Sequence, residues 1–193
     1  MREVLRACVA SADAIALARL DAPLADVLGP SGPDWHITVA ADPGKAHLVL
    51  DDGNGRGESG GDGRCGGGDA GCGDGGGPAG YLVLAAPRGL EPGIELHRLV
   101  VADDRRGRGL GRALLRTALA LAAVPQPPAG LSPDPGWVRP DWLAAGRLWL
   151  EAHPANTAAV HLYRSEGLVT EARLPSVLGD PSSPARRLVL ARG

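Results

Sequence analysis

Phenylalanine is absent from this chain of 193 residues, and all aromatic residues together make up only 3% of it. A hydrophobic core must therefore be built mainly from Leu, Val and Ala, which contribute to a hydrophobic share of 44%. No apolar run reaches the roughly eighteen residues that a transmembrane helix needs. The length suits one domain with a sizeable core, so we expect a single globular domain over residues 1–193 that is not a membrane protein.

Cysteine and net charge are low as well. The three cysteines, Cys8, Cys65 and Cys72, are odd in number and lack C-x-x-C spacing, which argues against a disulfide framework and against a zinc site. The five histidines are scattered, so we expect no metal. A formal charge of −2 gives no general attraction to nucleic acid or to an anionic membrane. The N-terminus does not resemble a signal peptide, and we therefore expect a cytoplasmic protein.

One glycine-rich segment of the chain indicates a binding function. Residues 105–112 have the sequence RRGRGLGR and lie between an apolar run and a periodic helix pattern. This order predicts a strand, a glycine turn and a helix N-terminus, whose free N–H groups and dipole favour a bound phosphate. Arginine side chains can add charge-assisted hydrogen bonds. The segment therefore predicts a site for a phosphorylated cofactor, formed by Arg106, Gly107, Arg108, Gly109, Leu110, Gly111 and Arg112.

Two common nucleotide motifs do not fit this loop. A P-loop needs a lysine after the glycines, but the chain's only lysine is Lys45. A dinucleotide fingerprint needs a small residue where this chain has Arg112 or Leu114. Arg106, Gly109 and Gly111 instead match [RQ]-x-x-G-x-[GA], and the segment resembles the pyrophosphate-binding loop of the GNAT superfamily of acyl-CoA-dependent N-acetyltransferases.

A second motif supports this resemblance. Residues 156–168, NTAAVHLYRSEGL, are similar to the family's N-x-x-A-x-x-[LF]-Y-x-x-x-G-[FL] segment. Asn156 is a favourable helix N-cap, and Gly167 suits a left-handed C-cap. An ordinary buried helix with a core tyrosine has the same pattern, but both motifs together, in this order, indicate the GNAT superfamily. The resemblance covers roughly residues 80–174 and implies acetyl-CoA as the acetyl donor.

The segments that flank the glycine loop agree with the resemblance. After the loop, apolar residues recur at helical spacing until Pro125. Before it, the apolar positions are Ile94 and Leu96 and then Leu99 and Val101, so their parity shifts, which predicts a β-bulge near Arg98. The resemblance implies that this strand separates from its neighbour and leaves backbone groups free to bind the pantetheine arm and the thioester carbonyl. The residues concerned are Leu99, Val100 and Val101.

The order of predicted elements is mixed. Residues 4–20 are expected to form a strand and then a helix. Further strands are expected at residues 35–40, 47–50, 80–85, 95–101, 147–152, 168–174 and 187–190. We therefore expect an α/β (mixed α+β) GNAT-like domain. Its central, mostly antiparallel sheet of six to seven strands should contain a bulged, splayed strand pair and be flanked by helices.

Two insertions depart from a compact member of the family. Residues 53–80 contain fifteen glycines in twenty-eight positions, which predicts a flexible loop. Residues 125–146 contain six prolines together with Trp137 and Trp142. This second insertion is either a lid or acceptor-site wall, or a segment that packs on the domain surface.

Acetylation of an amine requires a base, an oxyanion site and an acid for the leaving thiolate. Glu95 is the candidate base, acting directly or through water, although a surface or salt-bridged carboxylate is the structural alternative. The resemblance assigns the acid role to Tyr163. Asn156 either caps its helix, contacts the cofactor, or does both. No cysteine lies within either motif, which favours direct transfer in a ternary complex over an acyl-cysteine intermediate.

Several alternatives remain open at this stage. Glu151, His153 and His161 are other proton carriers if Glu95 points away from the site. His97 alternates with Glu95 on one strand face, so it either shares the site or occupies an edge position. A non-catalytic acyl-CoA-binding regulatory module is the alternative function. The expected acceptor is a small-molecule or peptide amine of open identity, and the expected protein is a monomer or a homodimer.

Overall fold

The computed structural model describes residues 4–25, 31–51, 77–87, 92–123, 134–143, 145–174 and 187–192. Within these ranges the chain forms seven strands and four helices, together with short 3-10 turns at Ala22–Leu24, Asp103–Arg105 and Asp141–Leu143. In chain order the elements are β1 (Val4–Ala7), α1 (Ala10–Asp21), α2 (Pro33–Ala41), β2 (Lys45–Asp51), β3 (Gly80–Ala85), β4 (Ile94–Val101), α3 (Leu110–Ala123), β5 (Leu148–Ala152), α4 (Thr157–Ser165), β6 (Val169–Leu174) and β7 (Arg187–Arg192).

The described strands form one sheet in the order β1-β2-β3-β4-β5-β7-β6. All neighbours pair antiparallel except β4 and β5, which are parallel and are connected through α3. A parallel pair needs such a crossover because a short turn cannot return the chain to the same end of the sheet. The predicted mixed fold with a mostly antiparallel sheet is confirmed.

Strand β4 is bulged where the sequence predicts it. Val83 of β3 pairs with Arg98, but the next residue, Leu84, pairs with Leu96, so His97 is the extra residue in β4. The bulge explains the parity shift, because the apolar residues on both sides of it contribute to the same core cluster. Strand β4 pairs with β5 only at Ile94 and Glu95, and the two strands share no paired residues beyond that point. The predicted splayed pair is therefore confirmed.

The strand predicted at residues 35–40 is wrong, because this segment belongs to helix α2. The helix begins at Pro33, which is suited to a first helical position because it needs no N–H there, and Asp34 lies in its first turn. His36 and Val39 are buried at helical spacing, as expected for the inner face of a helix. Packing between α1 and α2 decides the outcome, since short apolar segments fit either period.

The sheet has a core on each face. The larger cluster lies on the face that packs against α3 and consists mainly of leucine, as expected for a chain without phenylalanine. The smaller cluster lies on the face covered by α1 and α2 and is formed by Leu17, Val39, Val49, Tyr81, Val83 and Val100. Strand β4 therefore contributes to both clusters: Leu96 and Val101 belong to the larger one and Val100 to the smaller one.

The two predicted insertions are described only in part. Residues 52–76 lie outside the described residues, and Gly80 belongs to β3, where a Cβ atom would lie 2.5 Å from the carbonyl oxygen of Val100. In the second insertion, the Asp134 N–H donates to Leu5 O of edge strand β1 at 2.6 Å, and Leu143 is fully buried. The described part of this insertion thus packs on the domain. None of the helices in the described ranges is long and apolar enough to cross a membrane.

Candidate active site

A cavity of about 350 Å³ lies beside the separated end of β4, at the N-termini of α3 and α4. It brings together residues that are about fifty positions apart in the sequence, from the glycine loop and from the second motif. Nine of the predicted cofactor-binding residues line it: Leu99, Val100, Val101, Arg106, Gly107, Gly109, Leu110, Gly111 and Asn156. The sequence interpretation did not assign the remaining lining residues, Leu24, Arg105, Ala158, Ala159 and Leu162, to the site. Ala159 and Leu162 belong to the second motif, which was the available signal for them.

The glycine loop leads into the N-terminus of α3, in a conformation that lets a ligand approach the backbone closely. Gly107 and Gly109 have φ angles of 76° and 83°, a region that residues with a Cβ atom rarely adopt. The Ala113 N–H donates to the Gly109 carbonyl at 3.0 Å, so the helical ladder of α3 starts at that carbonyl. The first N–H groups of α3 have no intrahelical partner and lie at the positive end of the helix dipole. This end of the cavity is therefore suited to an anion.

The three arginines predicted to bind the cofactor differ in their partners. Arg106 forms an ion pair with Asp103 at 2.6 Å, and its Nε donates to Val101 O at 3.3 Å. Arg108 is exposed and forms no ion pair with another described residue. The Arg112 guanidinium is 2.9 Å from Glu166 Oε1, and neither Arg108 nor Arg112 lines the cavity. Cofactor binding by the side chains of Arg108 and Arg112 stays a prediction.

Glu166 connects the two motifs. Its side chain is only 8% exposed and binds Arg112 together with Arg116, whose Nε lies 2.7 Å from Oε2. The hydrogen bond and charge of Glu166 raise the pKa of Arg116 above its ordinary value. Because α3 carries both arginines and Glu166 caps the C-terminus of α4, this ion pair network holds the two helices beside the cavity.

Helix α4 is capped at both ends by residues of the second motif. Asn156 Oδ1 accepts the Ala159 N–H at 3.3 Å, which confirms the predicted N-cap. Gly167 has a φ of 86°, and its N–H donates to Arg164 O at 3.0 Å. The Leu168 N–H donates to Tyr163 O at 3.1 Å, which completes a Schellman motif. The caps define where α4 begins and ends, and thus where Tyr163 lies.

Tyr163 is half-buried on α4 and packs against the larger core cluster. Burial raises the pKa of its hydroxyl to about 12, so the group is protonated near neutral pH. The described residues provide no hydrogen-bond partner for this hydroxyl, which leaves its proton available to donate. Tyr163 does not line the 350 Å³ cavity.

Glu95 lies on the other face of the sheet, towards α2. Its Oε1 is 2.8 Å from His97 Nδ1, and the His97 ring stacks on Trp35 with a centroid distance of 6.1 Å and an interplanar angle of 13°. His97 thus joins Glu95 rather than occupying an isolated edge position. Trp35 was missed because its segment was assigned to a strand, although Pro33 was a signal for a helix start.

The other candidate proton carriers lie elsewhere. His161 is exposed on α4, and His153 Nδ1 accepts the Ala155 N–H at 3.2 Å in the turn before that helix. Glu151 is half-buried on β5. Across the described residues, no group of three or more potential metal ligands is arranged to hold an ion.

A buried polar cluster anchors the bulge to α1. Asp21 is only 1% exposed and accepts hydrogen bonds from the Tyr81 hydroxyl, from Arg98 Nη1 at 2.8 Å and from Ser31 Oγ at 2.5 Å. Burial alone would raise the pKa of Asp21, but the adjacent His36 ring, hydrogen bonds from Ser31 and Tyr81, and the charge of Arg98 hold it below its usual range. No local pattern predicts this cluster, because its members are far apart in the sequence.

Known proteins share this architecture. The model of the acetyltransferase (GNAT) domain matches residues 67–168, which is more than half of the chain. Streptothricin acetyltransferase from Streptomyces lavendulae is 30% identical over 131 residues, which cover 67% of this chain and 59% of that protein. The chain therefore spans about 59% of the length of this curated relative.

Solved structures agree in fold. Spermidine N-acetyltransferase from Vibrio cholerae, in complex with CoA and spermine, has a TM-score of 0.65 at 16% identity, over 99% of this chain and 95% of that one. Arabidopsis thaliana NAA60, in complex with a bisubstrate analogue, has a TM-score of 0.65 at 11% identity, over 98% and 97% of the two chains. The two motifs, the bulged and splayed strand, and the matching domain model lead to one conclusion: the chain belongs to the GNAT family of acetyltransferases.

Proposed function

We propose that this protein transfers the acetyl group of acetyl-CoA to a primary amine by direct attack in a ternary complex. The observation that carries the proposal is the cavity between the two motifs, which joins a helix N-terminus suited to an anion with the separated end of β4. The acceptors in the names of the similar proteins, streptothricin and spermidine, are amine-containing molecules and support an amine acceptor.

The residues around the cavity fit acetyl-CoA. The pyrophosphate is assigned to the loop from Gly107 to Arg112, because a Cβ atom at Gly107 or Gly109 would point into open space rather than into protein. The backbone of Leu99–Val101 is assigned to the pantetheine arm, because this part of β4 has no paired residue in β5. Asn156 lines the same cavity while it caps α4.

The chemistry is assigned to two side chains and to no covalent intermediate. Glu95 provides the base, directly or through water, and Tyr163 provides a proton to the leaving thiolate. Burial raises the pKa of the Cys8 thiol to about 12, so this cysteine is a poor nucleophile near neutral pH. No cysteine lies within either motif, so attack by the amine itself is favoured over an acyl-cysteine route.

Substitution of Gly109 by Val tests the cofactor site. The added side chain enters the cavity, so we expect Gly109→Val to abolish acetyl-CoA binding measured by calorimetry while the fold persists. The matched control is Gly146→Val, because Gly146 has a φ of 77° and an equally open surrounding but does not line the cavity. Both variants carry a backbone strain of about 1–2 kcal/mol. Wild-type affinity in Gly109→Val would contradict the site assignment.

Release of CoA tests whether the protein is an enzyme. We expect acetyl-CoA-dependent thiol release with at least one amine from a panel of spermine, streptothricin and a peptide with a free N-terminus. A protein that binds acetyl-CoA but releases no thiol with any of them would contradict the proposed reaction and would support the non-catalytic acyl-CoA-binding module.

A further inference from the structure

We infer that His97 is the group that takes the proton from the acceptor amine and that Glu95 is its positioning residue. This inference rests on the proposed function and names the intermediary between the Glu95 carboxylate and the substrate. It comes from three features of the described residues: the bulge in β4, the contact between the two side chains, and the stacking of the imidazole on α2.

The bulge places His97 where a regular strand would not. As the extra residue of β4 it has no paired residue in β3, and its side chain lies on the α2 face together with those of Glu95 and Arg98. His97 precedes Leu99, a cavity residue, by two positions, which corresponds to roughly 7 Å along a strand. His97 therefore lies on the stretch of β4 between Glu95, the last residue paired with β5, and the cavity residue Leu99.

The contact with Glu95 assigns the two ring nitrogens. A carboxylate 2.8 Å from Nδ1 accepts a hydrogen bond from the N–H of that nitrogen, so Nε2 has the lone pair and can act as a base. The stacked Trp35 ring holds the plane of the imidazole. The side chains of His97 and Glu95 are 33% and 29% exposed, so a substrate can reach the pair without displacing the core.

Charged and titratable side chains surround the pair. The Arg98 guanidinium carbon lies 4.1 Å and Lys45 Nζ 5.9 Å from the Trp35 ring centroid. His36 packs edge-on against the same Trp35 ring, and His47 also contacts it. Asp21 is bound by Arg98 and lies next to His36, so Glu95 is the carboxylate that directly offsets a proton gained by His97.

The proton and electron balance is simple. The acceptor ammonium loses one proton to His97 Nε2, and its freed lone pair forms a bond to the thioester carbonyl carbon. The C–S bond then breaks, and its electron pair stays on sulfur. The attacking nitrogen loses its second proton to solvent as the amide forms, and His97 then releases its proton to solvent. The thiolate gains one proton from Tyr163, which is reprotonated from solvent. The Glu95 carboxylate stabilises the imidazolium through its contact with Nδ1.

The test compares three variants in amine-dependent CoA release, with the amine that the wild type uses from the panel above. We expect His97→Gln to lower kcat by roughly 100-fold or more, as for a lost general base, with the acetyl-CoA Kd unchanged. The acidic limb of the pH profile of kcat/KM should disappear in this variant, because Gln cannot be protonated. Glu95→Gln should lower kcat less and keep the limb. His161→Gln is the matched control on exposed α4 and should behave as the wild type.

Chemical rescue separates catalysis from folding. We expect added imidazole to restore part of the activity of His97→Ala but none of that of Glu95→Gln, since only the first leaves an imidazole-sized gap. Wild-type kcat and an intact acidic limb in His97→Gln, or loss of the limb in Glu95→Gln alone, would overturn the inference and assign the base to Glu95. A wild-type protein that releases no CoA with any amine would instead contradict the proposed function itself.

Discussion

At the scale of single residues, the two tyrosines of the chain illustrate how environment separates a chemical role from a structural one. The Tyr163 hydroxyl has a raised pKa because of burial and has no hydrogen-bond partner among the described residues. The Tyr81 hydroxyl donates to the buried carboxylate of Asp21. The same group therefore has a free proton in one position and a fixed structural contact in the other.

Substitution of each tyrosine by Phe should have opposite effects. We expect Tyr163→Phe to lower kcat by roughly 10²- to 10⁴-fold, as for a lost general acid, with acetyl-CoA affinity and melting temperature nearly unchanged. Tyr81→Phe should instead lower the free energy of unfolding by about 1–3 kcal/mol, because it removes a donor to a buried acceptor, and leave kcat unchanged. Melting temperature and saturating rate, measured on the same samples, check both outcomes. A Tyr163→Phe protein with wild-type kcat would contradict the acid role.

At the scale of elements, helix α4 depends on its N-cap both for stability and for the shape of the cavity. Asn156 has both roles, because its side chain accepts a hydrogen bond from the Ala159 N–H and the residue also lines the cavity. Two substitutions separate the roles.

Substitution of Asn156 by Ala removes the cap, whereas Asp retains it. We expect Asn156→Ala to lower the free energy of unfolding by about 1 kcal/mol, and Asn156→Asp to change it by only a few tenths of a kcal/mol. The added negative charge of Asn156→Asp should weaken binding of the anionic acetyl-CoA while stability is kept. Urea unfolding and calorimetry on both variants give the two numbers. Equal stability of the Ala variant and the wild type would show that the cap contributes little.

At the scale of the whole molecule, His47 couples stability to pH. Burial, and then the neighbouring His36, lower the pKa of His47 to about 3, so the folded protein keeps this imidazole neutral. In the unfolded chain an ordinary histidine has a pKa of about 6.5. Between these values the unfolded state binds one proton more than the folded state, so stability falls as the pH is lowered through this window.

Substitution of His47 by Gln should remove this share of the pH dependence. One pH unit below 6.5, the wild type should lose up to about 1.4 kcal/mol through this residue, and His47→Gln should lose correspondingly less between pH 7 and pH 5.5. The lowered pKa of Asp21 reduces stability only at more acidic pH, outside this window. The free energy of urea unfolding at the two pH values measures the difference, with His161→Gln as the exposed control. Equal slopes in His47→Gln and the wild type would contradict a neutral buried His47.

Much of the fold could be predicted because the signals were local. The glycine loop, the apolar stripe of α3, the Asn156 cap and the Gly167 C-cap each depend on contacts within a few residues, and the structure contains all of them. The parity shift in β4 also sufficed to predict the bulge. When a strand contains one extra residue and still keeps the same face buried, its apolar positions change from even to odd numbers. Most of the predicted cofactor-binding residues belong to these local features, and they line one cavity.

The remaining features required the folded chain. Residues 35–40 fit a strand as well as a helix, and only the docking of α2 on α1 and on the sheet decided between them. That docking brings Trp35 to His97, and long-range contacts join Asp21 with Arg98 and Arg112 with Glu166. The sequence by itself therefore determined the family, the glycine loop and the helix caps, because short-range geometry produces them. Only the tertiary structure decided which side chains surround Glu95, because that depends on the free energy of packing segments that are distant in the chain.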